Sequence, residues 1–157
     1  MARRRDITRI GVISDTHGLL RPEALRALRG VDLIVHAGDV GTPDVLDGLR
    51  AIAPVVAVRG NNDRGAWARV LRRTETFACA GVRMHVVHDL KELGRVPAGI
   101  RAVIAGHSHR PAATTRDGVL FLNPGNAGPR RFTLPISVAT LSLRDGRARA
   151  RIVTLPL

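Results

Sequence analysis

Short apolar runs alternate with amphipathic segments through the first half of the chain. The apolar runs 10–14, 33–35 and 55–58 predict buried strands. The segments between them predict helices, because apolar residues there recur every three or four positions. Proline at a first helical position marks both helix starts, at Pro22 and Pro43. The resulting β-α-β-α-β order predicts parallel strands joined by right-handed crossovers.

The second half of the chain carries strand and hairpin signals instead of helical periodicity. The predicted elements are strands at 74–80 and 82–87 turning near Gly81, a buried strand at 102–105, and hairpin turns at Asp117-Gly118 and Asp145-Gly146. We therefore expect the C-terminal third to be mostly antiparallel. The whole pattern predicts a single α/β domain over residues 1–157, with two packed sheets and helices outside them.

Side chains able to bind a metal follow five of the predicted strands. The segments are Asp15-Thr16-His17, His36-Ala37-Gly38-Asp39, Gly60-Asn61-Asn62-Asp63, His88-Asp89 and Gly106-His107-Ser108-His109. The carboxyl ends of strands are where α/β sheets bind ligands. Four of the six histidines lie at these ends. The other two are His85, expected in the core, and His36, expected to hold a ligand in place by hydrogen bonding.

These residue types fit one chemistry. Imidazole and carboxylate together suit borderline divalent ions such as Mn, Fe, Co, Ni and Zn. Asp-x-His and His-x-His spacings place both side chains on one side of an extended chain, so that one loop supplies two ligands. Two ions about 3.5–4 Å apart can share a bridging hydroxide and hold a phosphoryl group during in-line displacement. An isolated Asp or His after a strand is usually a turn former, so the prediction rests on the whole set.

The single cysteine, Cys79, excludes an intramolecular disulfide and favours a reducing, cytoplasmic setting. It lies in an apolar run and is predicted to be a small buried hydrophobe, not a catalytic thiol. The first five residues include three arginines, Arg3, Arg4 and Arg5, but no long apolar segment follows them. The sequence therefore predicts neither a secretory signal nor a contact with the membrane.

The formal net charge of +12 comes almost entirely from arginine. Such a charge attracts phosphate-bearing partners, including nucleic acid. However, aromatic residues make up only 3% of the chain, and the arginines are scattered along it. The chain therefore lacks the set of aromatic side chains on which the bases of single-stranded nucleic acid stack. We interpret the arginines as general surface charge and do not favour dedicated nucleic-acid binding.

Taken in order, the motifs resemble those of the calcineurin-like metallophosphoesterase superfamily, in particular its small phosphodiesterases of the YfcE type. The resemblance covers nearly the whole chain and extends to Asn123-Pro124-Gly125-Asn126. It implies a four-layer α-β-β-α sandwich of two mixed sheets. It also implies a metal-dependent phosphoric ester hydrolase, a phosphodiesterase or phosphatase, in which a metal-bridging hydroxide attacks phosphorus.

The resemblance further implies a role for individual residues. The first metal would be held by Asp15, His17 and His109, the second by Asn61, His88 and His107, with Asp39 bridging both, and the catalytic set would be Asp39, Asn61, Asn62 and His107. Manganese is the favoured ion, while Ni, Fe, Co and Zn remain open. The expected partners are a small phosphate ester, with nucleotides among the candidates, and a second copy of the chain in a homodimer.

The chain departs from the family pattern at two positions. Asn62 stands where many members have a histidine thought to protonate the leaving group, and an amide cannot deliver that proton. Asp89 and Leu90 replace the usual Gly-His after the His88-type ligand. For the substrate phosphate, the candidate binding residues are Asn62, Arg64 and Arg130, with Arg131 beside them.

Two alternatives from other classes remain open. One is a non-catalytic protein-binding scaffold of the Vps29 type, which shares the implied fold. The other is a nucleic-acid-binding protein or nuclease, which the positive net charge of the chain suggests.

Overall fold

The computed structural model describes residues 7–157, so the basic segment 1–5 lies outside the described residues. The strands are β1 (Thr8–Ile13), β2 (Leu33–His36), β3 (Val55–Ala57), β4 (Thr74–Cys79), β5 (Val82–Val87), β6 (Ala102–Ile104), β7 (Ala112–Arg116), β8 (Val119–Asn123), β9 (Ser137–Arg144) and β10 (Arg147–Thr154). The helices are α1 (Pro22–Ala27), α2 (Pro43–Arg50) and α3 (Ala66–Arg69), with a 3₁₀ helix at Leu90–Glu92. The predicted strands and both proline-initiated helices are confirmed to within one or two residues.

Both sheets are mixed, and each contains three adjacent parallel strands. The first has the order β10-β9-β1-β2-β3, in which β1, β2 and β3 are parallel and β9 and β10 antiparallel. The second has the order β4-β5-β6-β8-β7, in which β5, β6 and β8 are parallel. The C-terminal third is mostly antiparallel, as expected, and the pairing of β8 with β6 is the parallel exception. The β7–β8 hairpin returns the chain between β6 and β7, which makes β8 parallel to β6.

The main core lies between the two sheets, and a second core lies under the helices. Side chains along β1 alternate between the two faces of the sheet, so that Ile10 faces the opposite sheet and Ile13 faces the helices. Gly11 lets α1 approach closely, because a Cβ there would lie 2.6 Å from Leu28 Cδ2. The outer face of the second sheet carries only a small cluster around Val103, covered by the 3₁₀ helix and the loop after it. The predicted sandwich of two mixed sheets is confirmed, with its fourth layer reduced to this segment.

The predicted hairpin turns adopt the expected geometry. Both residues of Asp117-Gly118 and of Asp145-Gly146 have positive φ, as a two-residue type I′ turn requires. Cys79, expected to be buried, is only half-buried at the edge of the main core, and burial raises the pKa of its thiol. Within residues 7–157, no helix has both the length and the apolar character needed to cross a bilayer.

Candidate metal centre

The loops after β1, β2, β5 and β6 bring side chains from both sheets to one place. His109, after β6, has its Nε2 atom 3.5 Å from Oδ1 of Asp15, after β1. His88, after β5, has its Nε2 atom 3.3 Å from Oδ2 of Asp39, after β2. The two sheets therefore meet at a cluster of imidazoles and carboxylates, as the strand-end pattern predicts.

Five of the predicted metal ligands have left-handed backbone conformations. The φ angles are 57° at Asp15, 46° at His17, 55° at Asp39, 70° at His107 and 63° at His109. Residues other than glycine rarely adopt positive φ, and such strain persists only where the surrounding structure imposes it. Here hydrogen bonds between the loop after β1 and the loop after β2 impose this conformation: the Asp15 amide donates to the Gly38 carbonyl, and the His17 amide donates to the Asp39 carbonyl. Strain concentrated in this way favours a functional role for the loops.

Two groups of potential ligand atoms share Asp15. One consists of Asp15, His17 and His109 and the other of Asp15, Asp39 and His88, with the atoms of each group within 4.8 Å of one another. Oδ2 of Asp39 also lies 3.6 Å from Nε2 of His17. Asp39 thus faces both groups, which is the position expected of a bridging ligand.

Several ligand atoms in this cluster are buried without a hydrogen bond. Among the described residues these include Asp15 Oδ1, His17 Nε2 and His88 Nε2. Buried polar atoms are nearly always hydrogen-bonded, so a convergent set of such atoms needs an explanation. The His88 ring is fixed by its other nitrogen, since Nδ1 donates to the Ala37 carbonyl at 2.7 Å and turns Nε2 toward the carboxylates. A divalent cation fits this donor set, because both carboxylate oxygen and imidazole nitrogen coordinate such ions.

The electrostatics of the cluster also favour a cation. Burial raises the pKa of Asp15, although His88 and His109 act in the opposite direction. Burial alone would raise the pKa of Asp39 as well, but the nearby His88 imidazole and hydrogen bonds from Asn62 lower it. For His88, burial is outweighed by Asp39 and Asp15, which raise its pKa to about 9. Two carboxylates in a desolvated site therefore create a negative potential that a divalent ion would satisfy.

Two of the predicted ligands, Asn61 and His107, flank these groups. The His107 ring lies 5.2 Å from the His88 ring, and its Nε2 atom lies 3.6 Å from Oδ2 of Asp89. Asn61 lines a cavity of about 280 Å³ together with Asp39 and His107. Both residues therefore border the second group of ligand atoms.

The predicted catalytic residue Asn62 contacts Asp39 twice. Its amide nitrogen donates to Oδ1 at 2.9 Å and its side-chain Nδ2 donates to Oδ2 at 3.1 Å. These hydrogen bonds fix the orientation of the Asp39 carboxylate and stabilise its ionised form.

The arginine beside the cluster differs from the two predicted substrate-binding arginines. Arg131 lines the cavity next to Asp39, whereas Arg64 and Arg130 do not. The Arg130 guanidinium instead donates to the Leu134 carbonyl at 3.2 Å. Adjacent residues of a loop point in different directions, and the sequence alone did not determine which arginine faces the cavity.

Asp63 belongs to one of the strand-end motifs, and the sequence pattern assigns it no role. The structure shows its buried carboxylate tying two loops of the site together. Oδ1 accepts from the Gly41 amide at 2.9 Å, and Oδ2 accepts from Gly60 at 2.8 Å and Val40 at 3.2 Å. Asn123 similarly holds the loop after β6, since its Nδ2 donates to the Gly106 carbonyl and to Ser108 Oγ, both at 3.0 Å.

The two remaining histidines lie outside the ligand groups. His36 is expected to hold a ligand in place by hydrogen bonding, and it does so only indirectly: its Nδ1 accepts from the Gly38 amide and its Nε2 contacts the Thr16 hydroxyl. It therefore supports backbone of the loop before Asp39. Complete burial and the repulsion of His88 lower the pKa of His36 to about 3, which keeps it neutral. His85 contacts its cross-strand neighbour Thr76 at 2.7 Å within the second sheet, as its place in a strand predicts.

The sequence matches a known family over most of its length. The family model for the calcineurin-like phosphoesterase superfamily domain matches residues 8–146. A protein of Methanothermobacter thermautotrophicus named "Probable metallophosphoesterase" is 36% identical over 159 residues, with 92% of this chain and 91% of that protein covered.

Solved structures share the fold at lower sequence identity. An archaeal phosphodiesterase superposes with a TM-score of 0.76 at 22% identity, covering 93% of this chain and 100% of that one. The phosphoesterase YfcE of E. coli gives 0.70 at 22% identity, with 95% and 100% covered. Vps29 of Entamoeba histolytica, solved in complex with zinc, also gives 0.70 at 22% identity, with 95% and 99% covered. The structural likeness shows the fold, and the matched sequence shows that the chain belongs to the calcineurin-like phosphoesterase superfamily.

Proposed function

We propose that this chain is a phosphodiesterase that uses two divalent metal ions to hydrolyse a small phosphate ester. The observation that carries the proposal is the convergence of Asp15 Oδ1, His17 Nε2 and His88 Nε2, all buried without a hydrogen bond among the described residues, around Asp39. The histidine nitrogens lie 3.3–3.9 Å from the carboxylate oxygens of Asp15 and Asp39 without a hydrogen bond in the described part of the chain, and a scaffold would gain nothing from burying them in this way.

The metal ions would be held by two sets of residues that share Asp39. The first set is Asp15, His17 and His109, and the second is Asn61, His88 and His107. When bound, such ions supply a deprotonated water as nucleophile and offset the charge of the phosphoryl oxygens. Manganese is the ion we propose, since this mixed oxygen and nitrogen donor set accepts it.

The remaining polar groups act on the substrate and on the geometry of the site. Arg131 borders the cavity beside Asp39 and is placed to bind a phosphoryl oxygen. Asn62 holds the Asp39 carboxylate and, as an amide, has no proton to give a leaving oxygen. Water must therefore protonate a poor leaving group, so esters of good leaving groups should react fastest. We also propose a cytoplasmic location, which the free thiol of Cys79 supports.

Turnover separates this proposal from a scaffold function, whereas metal binding alone does not. Vps29 of Entamoeba histolytica, which shares this fold, was solved in complex with zinc, so bound metal does not by itself identify an enzyme. Purified protein would be assayed with Mn²⁺ on bis-p-nitrophenyl phosphate, beside the variants Asp39→Ala and His107→Ala. We expect metal-dependent release of p-nitrophenol that both variants lose. Absence of turnover, or full activity in both variants, would favour the scaffold.

A further inference from the structure

A second cavity, of about 720 Å³, lies on the outer face of the second sheet. His107 and Ser108 line it and also line the cavity beside Asp39, so the two cavities meet at these residues. Its volume falls within the range of about 300–1,000 Å³ that is typical of small-molecule sites. A substrate with its phosphorus beside Asp39 could therefore extend a second group into this space.

The floor of this cavity is apolar. Val103 contributes from β6, Ala105 from the residue after it and Phe121 from β8, while Ala112 and Thr114 form the side along β7. The floor is open because the outer layer over this sheet is only the 3₁₀ helix and the loop after it. An apolar surface with a few polar groups at its margin suits a planar organic group.

The margin of the cavity is positively charged. Lys91, Arg110 and Arg116 line it, and Asp89 is the one acidic residue among the described residues that do so. The Arg116 guanidinium lies over the Phe121 ring, with its central carbon 4.2 Å from the ring centroid. This cation–π contact fixes a flat cation on the cavity wall. A guanidinium so placed can stack on a planar base or pair with a phosphate.

We propose that this cavity binds a nucleoside group carrying an additional phosphate, esterified to the phosphorus that reacts beside Asp39. The base would lie on the apolar floor, and the additional phosphate would meet the three cations. The substrate class is then a phosphodiester of a nucleotide. In the reaction, a water oxygen forms a new bond to phosphorus, the bond to the leaving oxygen breaks, and the water protons end on solvent and product. The proposal rests on the proposed function and adds the identity of the group retained on phosphorus.

Three p-nitrophenyl phosphodiesters test the substrate class with one common leaving group. Their retained groups are methyl, thymidine joined through its 5′ oxygen, and thymidine that also carries a 3′-phosphate. With Mn²⁺, we expect kcat/KM to rise about tenfold or more at each step, since a stacked base or a paired phosphate contributes that much. Equal kcat/KM for all three esters would overturn the proposal and leave the phosphodiesterase function intact.

A matched pair of variants tests the location. Ala112 and Ala113 are neighbours on the exposed strand β7, but only Ala112 lines the cavity. Ala112→Trp fills the space and should lower kcat/KM for the two thymidine esters about tenfold, while the methyl ester changes less than about twofold. Ala113→Trp should leave all three unchanged. Equal effects of the two tryptophans would contradict the location. Arg116→Ala should remove the preference for the 3′-phosphate alone, and retention of that preference would contradict its role.

Nucleotide binding to the cavity can be measured without any turnover of substrate. Thymidine 3′,5′-bisphosphate would be titrated calorimetrically into the Mn²⁺-loaded protein and both tryptophan variants. We expect binding that Ala112→Trp weakens about tenfold and Ala113→Trp leaves unchanged. Binding with this pattern in a protein that hydrolyses nothing would support the cavity while the proposed function fails. If Ala112→Trp instead converts a dimer to a monomer without changing nucleotide binding, the cavity is an interface between copies and the proposal is wrong.

Discussion

Replacing Asp63 by alanine should destabilise the protein strongly, although this residue belongs to neither group of ligand atoms. Its carboxylate is 1% exposed and accepts hydrogen bonds from the amides of Val40, Gly41 and Gly60. A buried amide left without a partner costs about 1–3 kcal/mol. Three such amides, partly relieved by water near the half-exposed Gly41, give an expected loss of about 3–5 kcal/mol in the free energy of unfolding.

Urea unfolding of the apoprotein, followed by circular dichroism, measures this loss. The control is Asp47→Ala, because Asp47 is exposed and its carboxylate forms a surface ion pair with Arg50 at 3.4 Å. The control should change the free energy of unfolding by less than about 0.5 kcal/mol. An Asp63→Ala loss as small as that of the control would refute the role assigned to these three bonds. Asp63→Asn keeps an acceptor oxygen and should fall between the two.

Further predictions concern the support of Asp39 and the response to pH. Gly60→Ala should lower activity about 100-fold, because its Cβ would overlap the backbone and carboxylate of Asp39, whereas Gly30→Ala meets no atom within 4 Å and should only cost stability. Asn62→Ala should lower kcat/KM with Mn²⁺ about 10–100-fold and less than Asp39→Ala, since it orients that ligand; the reverse order would contradict the assignment. Unfolded His36 takes up a proton below pH 6.5 while the folded residue stays neutral to about pH 3, so the free energy of unfolding should fall as pH drops through this interval. The midpoint of urea unfolding should therefore depend less on pH in His36→Gln than in the unmodified protein. The same pH dependence in both proteins would show that His36 is not held neutral in the folded state.

The sequence predicted those features that follow from local patterns. Apolar runs located the strands, and Asp117-Gly118 specified a type I′ turn, because only a few residue types tolerate positive φ at both positions. The strand-end positions of Asp15 and Asp39 predicted their meeting, since parallel strands deliver their carboxyl ends to one edge of a sheet.

Features that depend on tertiary placement could not be predicted in this way. The parallel pairing of β8 with β6 depends on where the hairpin returns in the sheet, which no local pattern encodes. Arg130 and Arg131 are chemically identical neighbours, and only the course of their loop places Arg131 at the cavity. The role of Asp63 was missed because its partners are backbone amides, which leave no signature in the sequence.

Anomalous diffraction from crystals grown with Mn²⁺ would locate the metal ions without reference to any substrate. We expect two anomalous peaks on either side of the Asp39 carboxylate, one beside His17 and His109 and the other beside His88. Crystals of Asp39→Ala should lose at least one of these peaks. Crystals saturated with Mn²⁺ that show no peak at these residues, or show manganese only elsewhere on the surface, would disprove the two-metal site.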